Sequence, residues 1–514
     1  MTLAEEHLRE LDNSALSEDE RALTRCQAAA DFILNGQFQA AAEALGEFWR
    51  GVGVRPNVGG LDERTAAEVL QQAGALSGWL GASRQAEGAQ DAAKDLLSES
   101  AALFERSGDR ARAAFARSEL ALCYWREGGY DEARVLLNRA AGELAGADAE
   151  REATVLLRLI TVECAAGRLH DALGILKESA PLLDASRNDA LRGSFHNLHA
   201  VTLRRLGAVE GLGDYYDRAI IEYTAAVYHY ERAGNARYAA SIENNLAFLL
   251  YKLGRYADAH EHLDRAGVGM VRLNEAGLLA LVDETRARVL VAEKHFREAG
   301  RLISGVVQTL EKGGELASLS EALTVQGVVW ARLGNYEGSV EVLRRAVRVG
   351  EESGALPSAA GAAMTLIEEH GARRTTSEDE VYDLYRRADR LLKDTQNAEE
   401  MARLRACARV CMRRLAGAQL GESNFSLFGA VHDLEAKFIA RALEASEGSV
   451  TRAARLLGVR HQTLTAMLAT RHKRLQSVRT PPVKRRRSII KKPKKSAAAR
   501  ALKPTPEAVS AVKD

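Results

Sequence analysis

Leu246 to Ala266 reads LAFLLYKLGRYADAHEHLDRA, two helix-like patterns joined at a single glycine. The same arrangement stands in ALCYWREGGYDEARVLLNRA, residues 121–140, and in GVVWARLGNYEGSVEVLRRA, residues 327–346. Each copy runs small residue, aromatic or Leu, Gly, Tyr, small residue, Leu, Ala. With the small residue after the Tyr, Phe or Leu as register mark, the copies fall at Ala133, Ala172, Ala219, Ala259, Ala299 and Ser339, spaced 39, 47, 40, 40 and 40 residues apart. The long interval is assigned to an insertion, GAVEGLGDY, in the turn before Tyr216. Looser copies surround Ala41 and Ala93, and a glycine follows four marks by 15 residues, at Gly108, Gly234, Gly314 and Gly354, where it would close the second helix. Small residues such as Ala133 and Ala140 suit a close helix crossing, with Tyr130 and Leu137 filling the space beside it.

Composition agrees with an all-α chain. Its 514 residues include only 8 prolines and 5% aromatics, with abundant Ala, Leu, Glu and Arg, so almost no β structure is expected. The repeat resembles the tetratricopeptide repeat in its longer form of about forty residues, over roughly residues 20–370. Each pair leaves an apolar face for the next to cover, which predicts a right-handed superhelix with a concave groove. Such superhelices bind on the concave side. There Asn244 and Asn245, in SIENNLAFLLYKLG, are the residues expected to grip the backbone of an extended peptide.

Beyond the repeats, GARRTTSEDE from Gly371 is a polar break, followed by a helical segment from about Glu380 to Leu415, read as a cap or spacer. AGAQLGESNFSLFGAV supplies the glycines of a joint. The segment LEAKFIARALEASE, 434–447, then predicts an amphipathic helix burying Leu434, Phe438, Ile439, Ala442 and Leu443. Gly448 ends it, Ser449 is placed to cap the next helix, VTRAARLL follows, Gly458 turns the chain, and a further helix begins near Arg460. Ala454 must be small at the crossing, Val459 must plug the corner, and Leu464, Met467 and Leu468 must point inward.

This second pattern resembles the Fis-family helix-turn-helix over about residues 430–475. The resemblance implies that the last helix enters the major groove, with Arg460, His461, Thr463 and Thr465 reading bases and Ser449, Thr451 and Arg452 meeting phosphates. Where that family is usually basic the chain has Thr465, Ala466, Ala469 and Thr470, and Arg471, Lys473 and Arg474 are the expected replacement. It also implies a homodimer on paired half-sites. The resulting map is an N-terminal segment (1–19), about eight helix pairs (20–370), a cap or spacer (371–415), a linker (416–429), the helix-turn-helix (430–476) and a basic, disordered tail (477–514).

Charge separates these parts. Residues 448–506 hold 17 Lys and Arg and no Asp or Glu, leaving residues 1–447 with 68 acidic side chains against 53 basic. One end therefore suits a polyanion such as double-stranded DNA. No G-x-x-x-x-G-K-[ST] phosphate loop and no HExxH occurs, so neither an enzyme nor a cofactor nor a metal is expected. The paired histidines His196 and His199, and His260 and His262, read as packing or surface residues, and Cys407 and Cys411 as buried ones. No apolar run approaches a membrane span and the N-terminus lacks a secretion signal, so the expected location is cytoplasmic. Two functions stand at this point. One is a DNA-binding transcription regulator whose superhelix takes up a protein or peptide. The other is a non-enzymatic scaffold whose basic tail binds RNA, anionic lipid or an acidic partner.

Overall fold

The computed structural model describes residues 16–34, 36–83, 86, 88–313, 316–371, 376–393, 398–416 and 427–478. Among these residues every regular element is helical, with 22 α-helices and two 3-10 turns. The chain divides into two compact units, residues 1–414 and 415–514.

The first unit is a stack of helix pairs. It opens with α1 (Glu18–Leu34) and the short α2 (Phe38–Ala44), then α3 (Glu63–Ser83) with α4 (Ala89–Arg106). Next come α5 (Arg110–Arg126) with α6 (Tyr130–Leu144) and α7 (Ala149–Ala165) with α8 (Leu169–Ala185). The middle pairs are α9 (Asp189–Glu210) with α10 (Gly213–Arg232) and α11 (Ala236–Lys252) with α12 (Tyr256–Arg272). α13 (Ala276–Ala292) with α14 (Phe296–Gly313) and α15 (Leu316–Arg332) with α16 (Tyr336–Glu352) follow, and α17 (Leu356–His370) covers the last of them. First helices also touch the first helices of neighbouring pairs, as α11 does α13 and α15 does α17, so they line one side of a tetratricopeptide-like superhelix.

Sequence dictates these elements locally. Asp109, Asp148, Asn188, Asn235 and Asn335 each start a helix with the side chain accepting a backbone N–H two or three residues on. In five of the pairs the chain reverses in three residues, the middle one left-handed: Gly128, Gly167, Gly254 and Gly334, but Lys294 (φ 66°) in the α13 and α14 pair. All six register marks, Ala133 through Ser339, are fully buried, as are Ala41 and Ala93. Gly108, Gly234 and Gly354 have positive φ just past their helices, whereas Gly314 lies outside the described residues.

Two expectations need correction. The insertion before Tyr216 makes no longer turn: Gly207 to Glu210 extend α9 to 22 residues, Gly213 to Tyr215 begin α10, and only Gly211 and Leu212 remain between. Gly207 permits this, because a Cβ there would meet the Tyr216 ring at 2.9 Å. The segment Glu380 to Leu415 is two helices, α18 (Glu378–Leu391) and α19 (Ala398–Ala416). Ser377 caps α18 by accepting the Glu380 N–H at 3.1 Å. Val381, Leu384, Cys407 and Cys411 join the core that holds Leu366 and Ile367 of α17, so the segment covers the end of the stack. All five cysteines are free and buried, and burial pushes the Cys407 thiol up to about 12 and that of Cys411 to about 11.

The second unit holds α20 (Leu427–Ala445), α21 (Val450–Leu456), α22 (His461–Ala469) and a 3-10 turn, Lys473–Val478. Of the linker expected at 416–429, residues 417–426 lie outside the described residues and 427–429 belong to α20. The N-terminal segment as far as residue 15 and the basic tail from residue 479 lie outside them too.

Candidate nucleic-acid interface

The core of the second unit is small. Ile439, Ala442 and Leu443 of α20, Ala453 and Ala454 of α21, and Leu464 and Leu468 of α22 are buried, with Val450, Leu457, Met467 and Leu475 packed against them. Glu447 (φ 50°) and Gly448 (φ 77°) reverse the chain after α20, and the Gly448 N–H reaches the Leu443 carbonyl at 2.7 Å. Gly458 (φ 64°) makes the second turn, closed by the Val459 N–H on the Ala454 carbonyl at 3.0 Å.

Three sequence expectations fail here. Phe438 is 48% exposed, because Ala436, Ile439 and Leu443 set the buried face and Phe438 lies off it. Val459 is 37% exposed, and the side chain packed at that corner is Leu457. Ser449 takes the N-cap position of α21 but its side chain makes no capping hydrogen bond. The buried hydroxyl of Ser446 closes the end of α20, donating to the Ala442 carbonyl at 2.6 Å.

Leu464 and Leu468 hold α22 by one face and leave its start free. Arg460, His461 and Thr463 are exposed at the head of the helix. Thr465 is half-buried, and its hydroxyl donates to the His461 carbonyl at 2.8 Å. Gln462, which no motif marks, is exposed among the first three. A glutamine amide matches the paired donor and acceptor of an adenine edge, and a guanidinium matches guanine. On α21 Thr451 and Arg452 are exposed and Ser449 is half-buried, with Arg452 3.3 Å from Glu447. Lys473 and Arg474 are exposed on the 3-10 turn, which Leu475 anchors to the core. Arg471 approaches Glu435 at 3.4 Å. The same carboxylate holds His472, fully buried, at 3.1 Å, and His472 stacks on His432 with ring centroids 4.5 Å apart. The chain after α22 is thus tied back to α20.

In the first unit Asn245 is exposed and Asn244 half-buried. The Asn244 amide oxygen is buried without a hydrogen-bond partner, and so is that of Asn197, in the matching place of SFHN on α9 as Asn244 is of SIEN on α11. A buried amide left unpaired costs about 1–3 kcal/mol, so two in register on neighbouring first helices are an unmet demand for a donor. The histidine pairs meet carboxylates: His196 and His199 both face Glu222, at 2.7 and 3.1 Å, His260 faces Glu293 at 2.9 Å, and His262 faces Glu243. Among the described residues no group of three or more His, Cys, Asp and Glu could hold a metal ion, and no helix is long and apolar enough to cross a membrane.

Residues 430–468 match the family model of the bacterial regulatory proteins of the Fis family, and this part of the chain is a Fis-type helix-turn-helix. Solved structures similar to the chain include a signal transduction ATPase with numerous domains and a tetratricopeptide repeat sensor from Pyrococcus horikoshii, 11% identical over 78% of this chain and 57% of its own, with a TM-score of 0.47. The apo form of the quorum sensor NprR from B. thuringiensis is 14% identical over 67% of this chain and 92% of its own, with a TM-score of 0.45. Aspartyl phosphate phosphatase F from Bacillus subtilis is 14% identical over 68% and 88%, with a TM-score of 0.44. No curated protein matches the chain.

Proposed function

We propose that the chain is a DNA-binding transcription regulator in which the helical superhelix takes up a peptide and the C-terminal unit reads DNA as a homodimer. The observation that carries the DNA half is α22 itself, fastened by Leu464 and Leu468 with Arg460 to Thr463 facing outward. Arg460, His461, Gln462 and Thr463 are the readers in this proposal; Thr465 serves its own helix. Thr451, Arg452, Lys473 and Arg474 are the phosphate contacts, with Ser449 and Arg471 at the margin because one is half-buried and the other already meets Glu435. Phe428 and Val431, 89% and 50% exposed, share α20 with Phe438 and make an apolar stripe that a second copy would cover. The peptide half is supported by the orphaned amides of Asn197 and Asn244.

A selection of binding sites from random duplex DNA by the full chain, followed by gel shifts of the selected and a scrambled duplex across a salt series, tests the reading. A reader keeps its preference as salt rises, because base contacts are not counterion release. Equal affinity for both duplexes at every salt concentration sinks the regulator and leaves a scaffold held to polyanions by charge.

A further inference from the structure

Asn244, Phe248 and Lys252 lie four residues apart on α11 and so form one stripe along a first helix of the stack. Phe248 is flanked by cations: the Lys252 Nζ lies 5.9 Å and the Arg288 guanidinium 6.0 Å from its ring centroid. The stripe thus offers an amide, a ring and a charge in order. Its last position is already engaged. Lys252 Nζ donates to Glu399 Oε1 at 2.5 Å, across 147 residues of sequence. Glu399 stands in the first turn of α19, whose remainder is packed elsewhere, with Leu404, Cys407 and Cys411 buried and Arg403 paired to Glu368 at 2.8 Å. The same carboxylate reaches α10, where burial raises the Tyr216 hydroxyl and the Glu399 charge raises it further.

We infer that Glu399 is a built-in stand-in for a ligand carboxylate at Lys252, so that an acidic peptide laid along α11 and the first turn of α19 compete for one lysine. The inference rests on the peptide reading of the superhelix given above and adds the ligand's charge and its competitor. Both members of the pair are about half exposed, and an ion pair of that kind contributes little to stability. A ligand carboxylate can therefore replace Glu399 at Lys252 at small cost. Eight helical residues separate Asn244 from Lys252, about 12 Å. An extended peptide advances about 3.4 Å per residue, which puts its acidic side chain three or four residues from the backbone group held by Asn244.

The test uses the full chain and dye-labelled hexapeptide pools with blocked ends, each pool fixing one position as Asp or Glu or, in the control set, as Asn or Gln, with binding read by fluorescence anisotropy. Wild type should favour acid at one position over its amide control. Glu399→Gln should strengthen the acidic pools by up to about fivefold and the neutral pools less, since only the former use the freed lysine. Lys252→Met should abolish the acid preference and leave neutral pools bound. If pools bind but show no acid preference in wild type and Glu399→Gln, or keep it in Lys252→Met, the inference is wrong and the peptide reading survives. If no pool binds either wild type or Glu399→Gln, the peptide reading falls and takes the inference with it.

Discussion

Ser339 and His370 meet inside the stack, both fully buried, with the serine hydroxyl 2.8 Å from the imidazole Nε2 and 2.6 Å from the Gly327 carbonyl. Ser339 is the one register mark that is not alanine, and this pair accounts for it. Because alanine fills the same place in the other marked pairs, Ser339→Ala is sterically neutral, and what it removes is hydrogen bonding to a buried ring. We expect a loss of about 1–2 kcal/mol, read as a lower midpoint of thermal unfolding by circular dichroism. An unchanged midpoint would mean that His370 repairs the loss with its other partners.

Lys294 carries a left-handed backbone where the equivalent turns use Gly128, Gly167, Gly254 and Gly334. It is exposed, so its side chain brings no packing to offset the strain. Lys294→Gly should therefore stabilise the first unit by roughly 0.5–1 kcal/mol, and Gly254→Ala should destabilise it by a similar amount. Urea midpoints of the two variants on opposite sides of wild type are the expected result. Both falling below it would overturn the argument.

Burial alone would raise the Glu222 carboxyl, but hydrogen bonds from His196 and His199 hold it down to about 2, from an ordinary value of 4.5. A depressed carboxyl contributes stability that is present above its unfolded value and is lost as pH falls from about 4.5 through about 2. Wild type should lose up to about 3 kcal/mol in that window on this account, and Glu222→Gln should lose correspondingly less between pH 5 and pH 3. Parallel losses in the two proteins would show that other carboxylates dominate.

Much of the fold is legible because each helix pair repeats the same steric problem. Ala133, Ala259 and Ser339 are small for one reason, a close crossing, and that reason survives translation along the chain. The insertion near Tyr216 is harder to read, since GAVEGLGDY looks like a loop by its glycines, yet Gly207 is there to admit a ring and not to break a helix. In the C-terminal unit the motif locates the turns at Gly448 and Gly458, while the direction of single side chains escapes it. Phe438 and Ile439 are adjacent in sequence and equally apolar, and only the packing of α21 against α20 decides which one is buried. Gln462 escapes notice for a similar reason: an exposed polar residue breaks no pattern.

Exposure of Phe438 beside Val431 and Phe428 has a direct test. Phe438→Glu puts a charge on the stripe without touching the core of Ile439, Leu443, Leu464 and Leu468. The variant should stay folded, sediment as a smaller species than wild type, and bind a single half-site as well as wild type while losing its advantage on paired half-sites. Identical sedimentation of the two proteins would remove the stripe as the dimer contact.

The decisive prediction separates reading DNA from adhering to it. Arg460 and His461 stand exposed at the head of α22, whereas the Thr465 hydroxyl is committed to the His461 carbonyl. On the operator selected by wild type, Arg460→Ala and His461→Ala should each remove base contacts worth about 1–3 kcal/mol and relax preference at one or two positions, and Gln462→Ala should act alike at a neighbouring one. Thr465→Ala should change little, because its hydroxyl has no free donor to offer a base. Removal of residues 479–514, which hold 11 Lys and Arg before Glu507, should do the opposite. Attraction between cations and phosphates draws every duplex alike, so losing these charges should weaken selected and scrambled DNA together and flatten the salt dependence while the preferred site stays preferred. If removing the tail erases sequence preference and the Arg460→Ala/His461→Ala double variant keeps it, α22 is not the reading helix and the tail is where specificity resides.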